Sequence, residues 1–149
     1  MPQARAGFAS DADFSGQRKL AIIGPTLYVR IGFDIEYRPG KGPPDLPRML
    51  LPALVDTGAS HSCIDAALAN DLNLPVVDRR TVIGVHGEKE VDVYHAQIYV
   101  PQLEYVLHEQ FTVAKLTAGG QPHLALIGRE LLQNFTMTYE GRTGIVVIS

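Results

Sequence analysis

The chain has 149 residues, of which 46% are hydrophobic and 19% are charged, with a formal net charge of −3. This length fits one domain with its own hydrophobic core. The slightly acidic balance gives no basic surface for a nucleic acid or an anionic membrane. Cys63 is the only cysteine, so no disulfide can form within the chain.

Residues 1–19 are polar and rich in small side chains, without the basic start and apolar run of a signal peptide. They offer little apolar surface to bury, so we expect a flexible tail over residues 1–19 and a folded domain over residues 20–149. The single cysteine and the lack of a signal peptide favour a cytoplasmic location. No stretch is long and apolar enough to predict a membrane segment in this chain.

Alternating apolar and polar residues over 27–35 predict a half-buried strand. Residues 38–47 contain four prolines and two glycines and therefore predict a loop. A second strand is expected over residues 49–55, where Pro52 indicates a sheet edge or a bulge. After residue 62 the apolar residues recur every four positions, which predicts a helix that Pro75 ends.

Residues 81–85 and 91–100 predict a β-hairpin whose turn contains His86-Gly87-Glu88. Short strands are expected over 111–116, 124–127, 136–139 and 144–148, with a short helix opened by Gly128. Many short strands with one or two short helices predict a mainly β domain, shaped as a barrel or a sandwich.

The apolar run that ends at Val55 is followed abruptly by Asp56-Thr57-Gly58-Ala59-Ser60. An acid that closes an apolar strand is poorly solvated, which favours a functional role for Asp56. Ser60 and Cys63 are possible nucleophiles, but neither lies in a nucleophile elbow or pairs with a predictable histidine. The five histidines show no metal-ligand spacing, so we expect neither a metal nor another cofactor.

A pair of carboxylates is the remaining route to hydrolysis. Two carboxylates a few ångströms apart share one proton, so one of them can accept a proton from water while the other donates to the substrate. Asp56 can supply one half of such a pair, and no second Asp-(Thr/Ser)-Gly sequence supplies the other.

The order of these motifs resembles that of the retropepsin-like aspartic protease family. The resemblance rests on Asp56-Thr57-Gly58 after an apolar strand, on the glycine-edged hairpin of residues 82–87, and on residues 125–132 with Ile127-Gly128-Arg129 at their centre. It covers residues 25–149 and implies a retropepsin-like acid-protease barrel.

The resemblance also implies an aspartic endopeptidase that forms a two-fold homodimer, with Asp56 of both chains in one active site that takes a protein or peptide substrate. Residues 144–149 would then contribute a strand to a dimer sheet. The residues that the resemblance assigns beside catalytic Asp56 are Thr57, Gly58, Ala59, Ile127 and Gly128 as support of the active site, and Ile83, Gly84, Val85, His86 and Gly87 as the substrate-binding flap.

Two features depart from the viral members of that family. Viral members often carry an acid at the position of Ser60, where it pairs with the arginine that corresponds to Arg129. The partner of Arg129 is therefore open, with Asp65 and Glu130 as candidates. The long segment 36–47 also favours a cellular or bacterial relative.

A second hypothesis is a catalytically silent module that keeps the retropepsin fold for dimerisation or peptide binding. The open position at Ser60 and the unassigned N-terminal segment leave room for it. The intact Asp-Thr-Gly sequence argues against it, because a decayed site would tolerate loss of Asp56.

Overall fold

A computed structural model describes all residues, 1–149, and contains ten strands and three short helices. None of the helices is long and apolar enough to cross a membrane. The strands are β1 (Ala4–Arg5), β2 (Thr26–Gly32), β3 (Leu51–Val55), β4 (Cys63–Asp65), β5 (Val76–Gly84), β6 (Gly87–Val100), β7 (Tyr105–Ala114), β8 (Ala125–Ile127), β9 (Met137–Glu140) and β10 (Ile145–Ile148). The helices are α1 (Gly16–Ile23), α2 (Ala66–Asp71) and α3 (Arg129–Leu132), and a 3₁₀ turn covers Pro101–Leu103.

Seven of the strands form the main sheet in the order β2-β3-β8-β4-β7-β6-β5. Strand β2 also pairs with β6, at Ile31 opposite Ile98, so the sheet closes on itself like a barrel. The core inside it is aliphatic, with Phe111 as its largest fully buried side chain. The expectation of a mainly β domain is confirmed, with one more short helix than the sequence suggested.

Strand β3 lies inside the sheet, antiparallel to β2 and parallel to β8. Pro52 is therefore not at an edge, contrary to the sequence-based expectation. The Leu124 N–H donates to the Pro52 carbonyl (2.8 Å), so the Pro52 backbone points to the β8 side. Pairing there begins only at Ala53, opposite Ala125. The missing N–H of Pro52 consequently removes no bond from the ladder.

The helix expected directly after residue 62 begins later, because Cys63–Asp65 forms β4. Asp65 ends this strand and caps α2, and its buried carboxylate also accepts the N–H groups of Leu116 and Thr117 (both 3.0 Å). Burial alone raises the pKa of Asp65, but the hydrogen bonds from Thr117 and its neighbours outweigh it, so the pKa lies below its ordinary value. The carboxylate thus joins β4 and α2 to the loop after β7.

The N-terminal segment differs from the flexible tail expected over residues 1–19. Ala4 of β1 pairs with Ile148 of β10, and a small sheet has the order β1-β10-β9. Ala4 and Ala6 are 0% exposed and Leu20 of α1 is 1% exposed. The small side chains of this segment therefore pack against the domain.

Close backbone packing explains why the N-terminal segment contains glycine. A Cβ atom on Gly16 would lie 2.1 Å from the Phe8 carbonyl oxygen. A Cβ atom on Gly144, at the turn between β9 and β10, would lie 2.2 Å from the Gly16 carbonyl carbon. Gly144 also has a φ of +81°, which L side chains rarely adopt. The start and the end of the chain thus meet where no side chain fits.

The proline-rich segment between β2 and β3 packs on the outside of β6 and β7. Gln97 Oε1 accepts the Asp34 N–H (2.7 Å), so the Gln97 amide nitrogen must donate, to the Asp34 carbonyl (3.2 Å) and to His108 Nδ1 (3.0 Å). His108 Nε2 then carries the proton and donates to Nε2 of His95 (3.1 Å). A second proton on His108 would lie on Nδ1 and face the donating Gln97 amide, so this network favours a neutral His108 ring.

Burial lowers the pKa of His108, and the neighbouring His95 lowers it further, against a smaller opposite effect of Glu109. The unfolded chain protonates this histidine near the ordinary pKa of about 6.5. Below that pH the unfolded state binds more protons than the folded state. The His108 contribution to the free energy of unfolding is therefore lost as the pH falls from about 6.5 through the lowered pKa of the folded state.

Gly144→Ala should lower the free energy of unfolding by about 3 kcal/mol or more, because the new methyl group adds overlap with backbone atoms to the strain of the positive φ. Gly40→Ala is the matched control, since Gly40 has the same φ of +81° with no atom within 4 Å of the new Cβ. It should cost only about 1 kcal/mol. Urea unfolding of both variants checks this, and equal losses would contradict the packing described for Gly144.

His108→Gln should flatten the pH dependence of stability below about pH 6.5, because it removes a group that is neutral when folded and charged when unfolded. Urea unfolding at several pH values measures the slope. His86→Gln is the matched control, since it makes the same exchange of side chains at an exposed hairpin turn outside this network. Part of the slope remains in His108→Gln, because burial also lowers the pKa of His123. A slope equal to that of the wild type would show that His108 is not kept neutral.

Candidate active site

The loop of residues 56–62 leaves the end of β3 and returns to the barrel at β4. Its first residue, Asp56, donates its backbone N–H to the Ile127 carbonyl at the end of β8 (2.8 Å). Val55 lies opposite Ile127 in the parallel pair, and both side chains are buried. The half-buried Asp56 is thus placed by two buried strand ends.

The carboxylate of Asp56 is oriented from within its own loop. The Gly58 N–H donates to Asp56 Oδ1 (2.9 Å), and the Ala59 N–H donates to the Asp56 carbonyl (3.2 Å). These two bonds close a tight turn that leaves Thr57 and Gly58 exposed to solvent. The Thr57 hydroxyl makes no hydrogen bond within the chain, so the exposed side of the loop has an unused polar group.

The start of α3 lies against the middle of this loop. A Cβ atom on Gly128 would lie 2.8 Å from the His61 carbonyl carbon and 2.9 Å from the Ala59 carbonyl oxygen, so only glycine fits there. The Arg129 N–H donates to that same Ala59 oxygen (2.8 Å). The structure therefore brings Ile127 and Gly128 together with the Asp56 loop.

Arg129 pairs with neither of the two acids that the sequence left open. Its Nη1 donates to the Thr57 carbonyl (2.8 Å), so a backbone carbonyl takes the place of the acidic partner. Asp65 accepts bonds from the loop after β7, and the Glu130 carboxylate accepts the N–H of Ser62. Arg129 thus binds the loop one residue after Asp56.

Neither alternative nucleophile has the surroundings that it would need. Burial, with a smaller contribution from the nearby Asp56, Asp65 and Glu130, raises the pKa of the Cys63 thiol to about 11 against the opposite effect of a backbone hydrogen bond at Leu126, so little thiolate exists at neutral pH. Ser60 Oγ lies 3.0 Å from Nδ1 of the adjacent His61, but no acid binds the other nitrogen of that ring. A triad of nucleophile, base and acid is not formed.

The residues expected to form the flap lie together at the tip of the β5–β6 hairpin. Gly84 pairs with Gly87, and Val85 and His86 make the two-residue turn between them. Ile83 is 82% exposed and Val85 is 98% exposed. No hydrogen bond joins this tip to the loop of residues 56–62 within one chain.

Two surface cavities of about 440 and 380 Å³ lie away from Asp56. The larger follows β1 and β10 and includes Arg5, Phe8 and Ile145, and the smaller lies beside Tyr37 and Tyr99. Neither is lined by the Asp56 loop or by the hairpin tip. No group of three or more His, Cys, Asp or Glu side chains converges as metal ligands would.

Ser62 and Glu130 are contacts of the loop that sequence reasoning missed. The sequence indicates Glu130 only as a candidate partner of Arg129 and gives no role to Ser62. The two residues are 68 positions apart, so no local spacing connects them. Their proximity follows only from the pairing of β8 with β3 and β4.

Comparison with known families gives a match between residues 50–131, more than half of the chain, and the aspartyl protease family. The chain belongs to the aspartyl protease family. The matched segment runs from β3 through the Asp56 loop to α3 and includes the hairpin. The protein is accordingly a hydrolase of the protease class. No curated protein gave a significant match to the sequence.

Solved structures of retropepsin type resemble the fold. A retropepsin-like aspartic protease from Rickettsia conorii superposes with a TM-score of 0.52 at 13% identity, over 98% of this chain and 90% of that one. The EIAV protease in complex with the inhibitor HBY-793 gives 0.48 at 19% identity, over 85% and 93%. The simian foamy virus (mac) protease gives 0.46 at 18% identity, over 70% and 88%. The Rickettsia protein supports the expected retropepsin-like fold.

Proposed function

We propose that the protein is an aspartic endopeptidase whose active site forms between two copies of the chain. The observation that carries the proposal is the Asp56 loop, in which the Gly58 N–H holds the Asp56 carboxylate at an exposed turn. The chain belongs to the aspartyl protease family and contains a single Asp-Thr-Gly sequence. One carboxylate cannot both accept the proton of a water and donate one to the substrate. The second carboxylate is therefore Asp56 of the partner.

The two carboxylates would share one proton. The ionised carboxylate accepts a proton from a water molecule as the water oxygen attacks the scissile carbonyl carbon, and the protonated one donates a hydrogen bond to the carbonyl oxygen. The tetrahedral intermediate collapses when the leaving nitrogen receives a proton and its bond to carbon breaks. Activity should then have an optimum in pH, because one proton has to remain on the pair.

The neighbours of Asp56 fit this arrangement. The Gly58 N–H orients the carboxylate, and Ala59, Ile127 and Gly128 allow the loop and α3 to approach closely. The exposed Thr57 hydroxyl has no partner within the chain, so it can bind the same loop of a second chain.

The exposed hairpin tip fits the role of a flap over an extended peptide. Ile83 and Val85 are apolar but almost fully exposed, and flanking Gly84 and Gly87 allow a tight turn. Residues of this kind gain stability when a substrate or a partner covers them. Closure over the substrate would also exclude bulk water from the carboxylates.

The terminal sheet offers an edge for dimerisation, but a different one from that expected. Strand β10, suggested as the dimer strand, is paired on both sides, with β1 and with β9. Thr136 exchanges both backbone hydrogen bonds with Ser149. In an antiparallel ladder every second residue bonds to the same neighbouring strand, so the backbone N–H and C=O groups of Thr138 and Glu140 also point to β10. Tyr139 therefore directs its N–H and C=O outward, and this unpaired edge of β9 can bind the same strand of a second chain.

Asp56→Asn should lower peptide-bond cleavage by roughly 10³-fold or more, because an amide cannot take a proton from water at neutral pH. The Asn side-chain oxygen can still accept the Gly58 N–H, so the variant should fold and dimerise like the wild type. Mass spectrometry of a digest of unfolded casein measures the cleavage. Wild-type cleavage by pure Asp56→Asn would rule the mechanism out, and a wild-type dimer that cleaves nothing would favour the silent module.

Mixed dimers test whether each site uses two chains. Equal amounts of wild-type and Asp56→Asn chains, unfolded together and refolded, should have about a quarter of the activity of the same total amount of wild type, because both chains of an active dimer must carry Asp56. A chain that works alone would retain about half.

Tyr139→Pro should convert the dimer to a monomer without activity, because proline removes the outward N–H from β9 and leaves the bonds to β10 intact. Tyr139→Ala is the matched control, since it removes the same side chain but keeps the N–H, and it should remain dimeric. Sedimentation equilibrium measures the mass of both. A dimer of normal affinity in Tyr139→Pro would place the interface elsewhere.

A further inference from the structure

We infer that Ser62 and Glu130 are positioning residues for Asp56, which close the far end of its loop on α3. Two hydrogen bonds make this contact, here called the Ser62–Glu130 clamp. The Gly128 N–H donates to Ser62 Oγ (2.9 Å), and the Ser62 N–H donates to the Glu130 carboxylate. The inference rests on the proposed function, because it assigns a catalytic consequence to this contact.

The clamp satisfies backbone groups that would otherwise be unpaired. The first N–H groups of any helix lack partners within the helix. Gly128 precedes α3 and has no side chain that could cap it, so the Ser62 hydroxyl supplies the acceptor from another segment. Glu130, in the first turn, accepts the Ser62 N–H in return. The arrangement is comparable to a capping box whose two halves are 68 residues apart.

Burial makes the two hydrogen bonds of the clamp difficult to replace. Ser62 is 2% exposed, Gly128 is buried and Glu130 is half-buried, so water is a poor substitute for either bond. A buried N–H without a partner is energetically costly, which disfavours any displacement of the loop from α3. Ser62 thus has one position relative to the start of the helix.

The clamp acts on Asp56 through the geometry of the loop. The entrance of the loop is held by the bond from the Asp56 N–H to Ile127, and its middle by the bonds of Arg129 to Thr57 and Ala59. All of these contacts go to residues 127 and 129, on both sides of Gly128. The clamp attaches the exit of the loop, at Ser62, to the same short segment. The carboxylate therefore keeps one orientation only while the exit is held, which matters because small misplacements of a reacting group greatly reduce the rate.

Glu130→Ala should lower kcat about tenfold and leave KM within about twofold, since it loosens the catalytic carboxylate without removing a substrate contact. Glu130→Gln should restore kcat, because its amide oxygen can still accept the Ser62 N–H. Ser62→Ala should resemble Glu130→Ala, and the double variant should be no worse than either single one. The substrate is one peptide that the wild type releases from casein. It is synthesised again with the two casein residues beyond one end, so that it contains the bond that the wild type cleaves.

Hydrogen exchange of the Ser62 and Gly128 amides gives a readout independent of activity. Both should exchange at least about tenfold faster in Glu130→Ala than in wild type, and at the wild-type rate in Glu130→Gln. Gln133→Ala is the matched control, because the side chain of this exposed residue at the end of α3 donates only to the Glu130 carbonyl (3.1 Å). It should leave exchange and kcat unchanged.

Each result has one meaning. Unchanged exchange in Glu130→Ala would show that the clamp does not exist. Faster exchange with unchanged kcat, or a loss that Glu130→Gln does not restore, would overturn its positioning role. If Asp56→Asn retains activity, the proposed function fails, while the exchange rates still report on the clamp itself.

Discussion

The hydrogen bond from the Asp56 N–H to the Ile127 carbonyl joins the strand that leads into the Asp56 loop to the strand that leads into α3. It continues the parallel pairing of β3 with β8, in which Val55 lies opposite Ile127. Because both strand ends are buried, the bond has no water to replace it, and losing it would leave a buried donor unpaired at a cost of about 1–3 kcal/mol. The position of the Asp56 backbone therefore depends on the barrel core, whereas its carboxylate is oriented within the loop by the Gly58 N–H.

The same strand end explains why α3 approaches the loop so closely. Strand β8 stops at Ile127, and Gly128 turns the chain into α3 with no side chain between the helix and the loop. The first N–H groups of α3 then meet the Ala59 carbonyl and the Ser62 hydroxyl. The loop thus provides acceptors that the helix lacks, while the helix limits the positions open to the loop.

Local patterns predicted the parts of the candidate site that are local in sequence. Leu54 to Ser60 contain the strand, the acid and the turn within seven residues, and the hairpin is defined by its own glycines and alternating side chains. Partners of Arg129 and Glu130 could not be predicted, because they are backbone groups of residues 57 and 62 that only the β3–β8–β4 pairing brings near. Backbone carbonyls and N–H groups also occur at every position, so they leave no pattern in the sequence.

Composition misled the interpretation of residues 1–19 for a physical reason. Glycine and alanine are typical of flexible chains, but they are also the residues that allow two backbones to approach closely. At Gly16 and Gly144 the absence of a side chain permits contact between the two ends of the chain, and the small methyl group of Ala4 is completely buried. Spacing alone cannot distinguish these cases, because the neighbour lies more than a hundred residues away.

The exposed apolar tip at Ile83 and Val85 contrasts with the tightly held Asp56 loop. Within one chain, β5 pairs only with β6 and is exposed along its whole length. A two-stranded ribbon of this kind has little to hold it in one position, so it can move while the barrel remains fixed. In the proposed mechanism, a fixed carboxylate and an apolar hairpin tip that can move serve different steps of one reaction. The first lowers the cost of orienting the reacting groups, whereas the second gains stability only when a peptide lies beneath it.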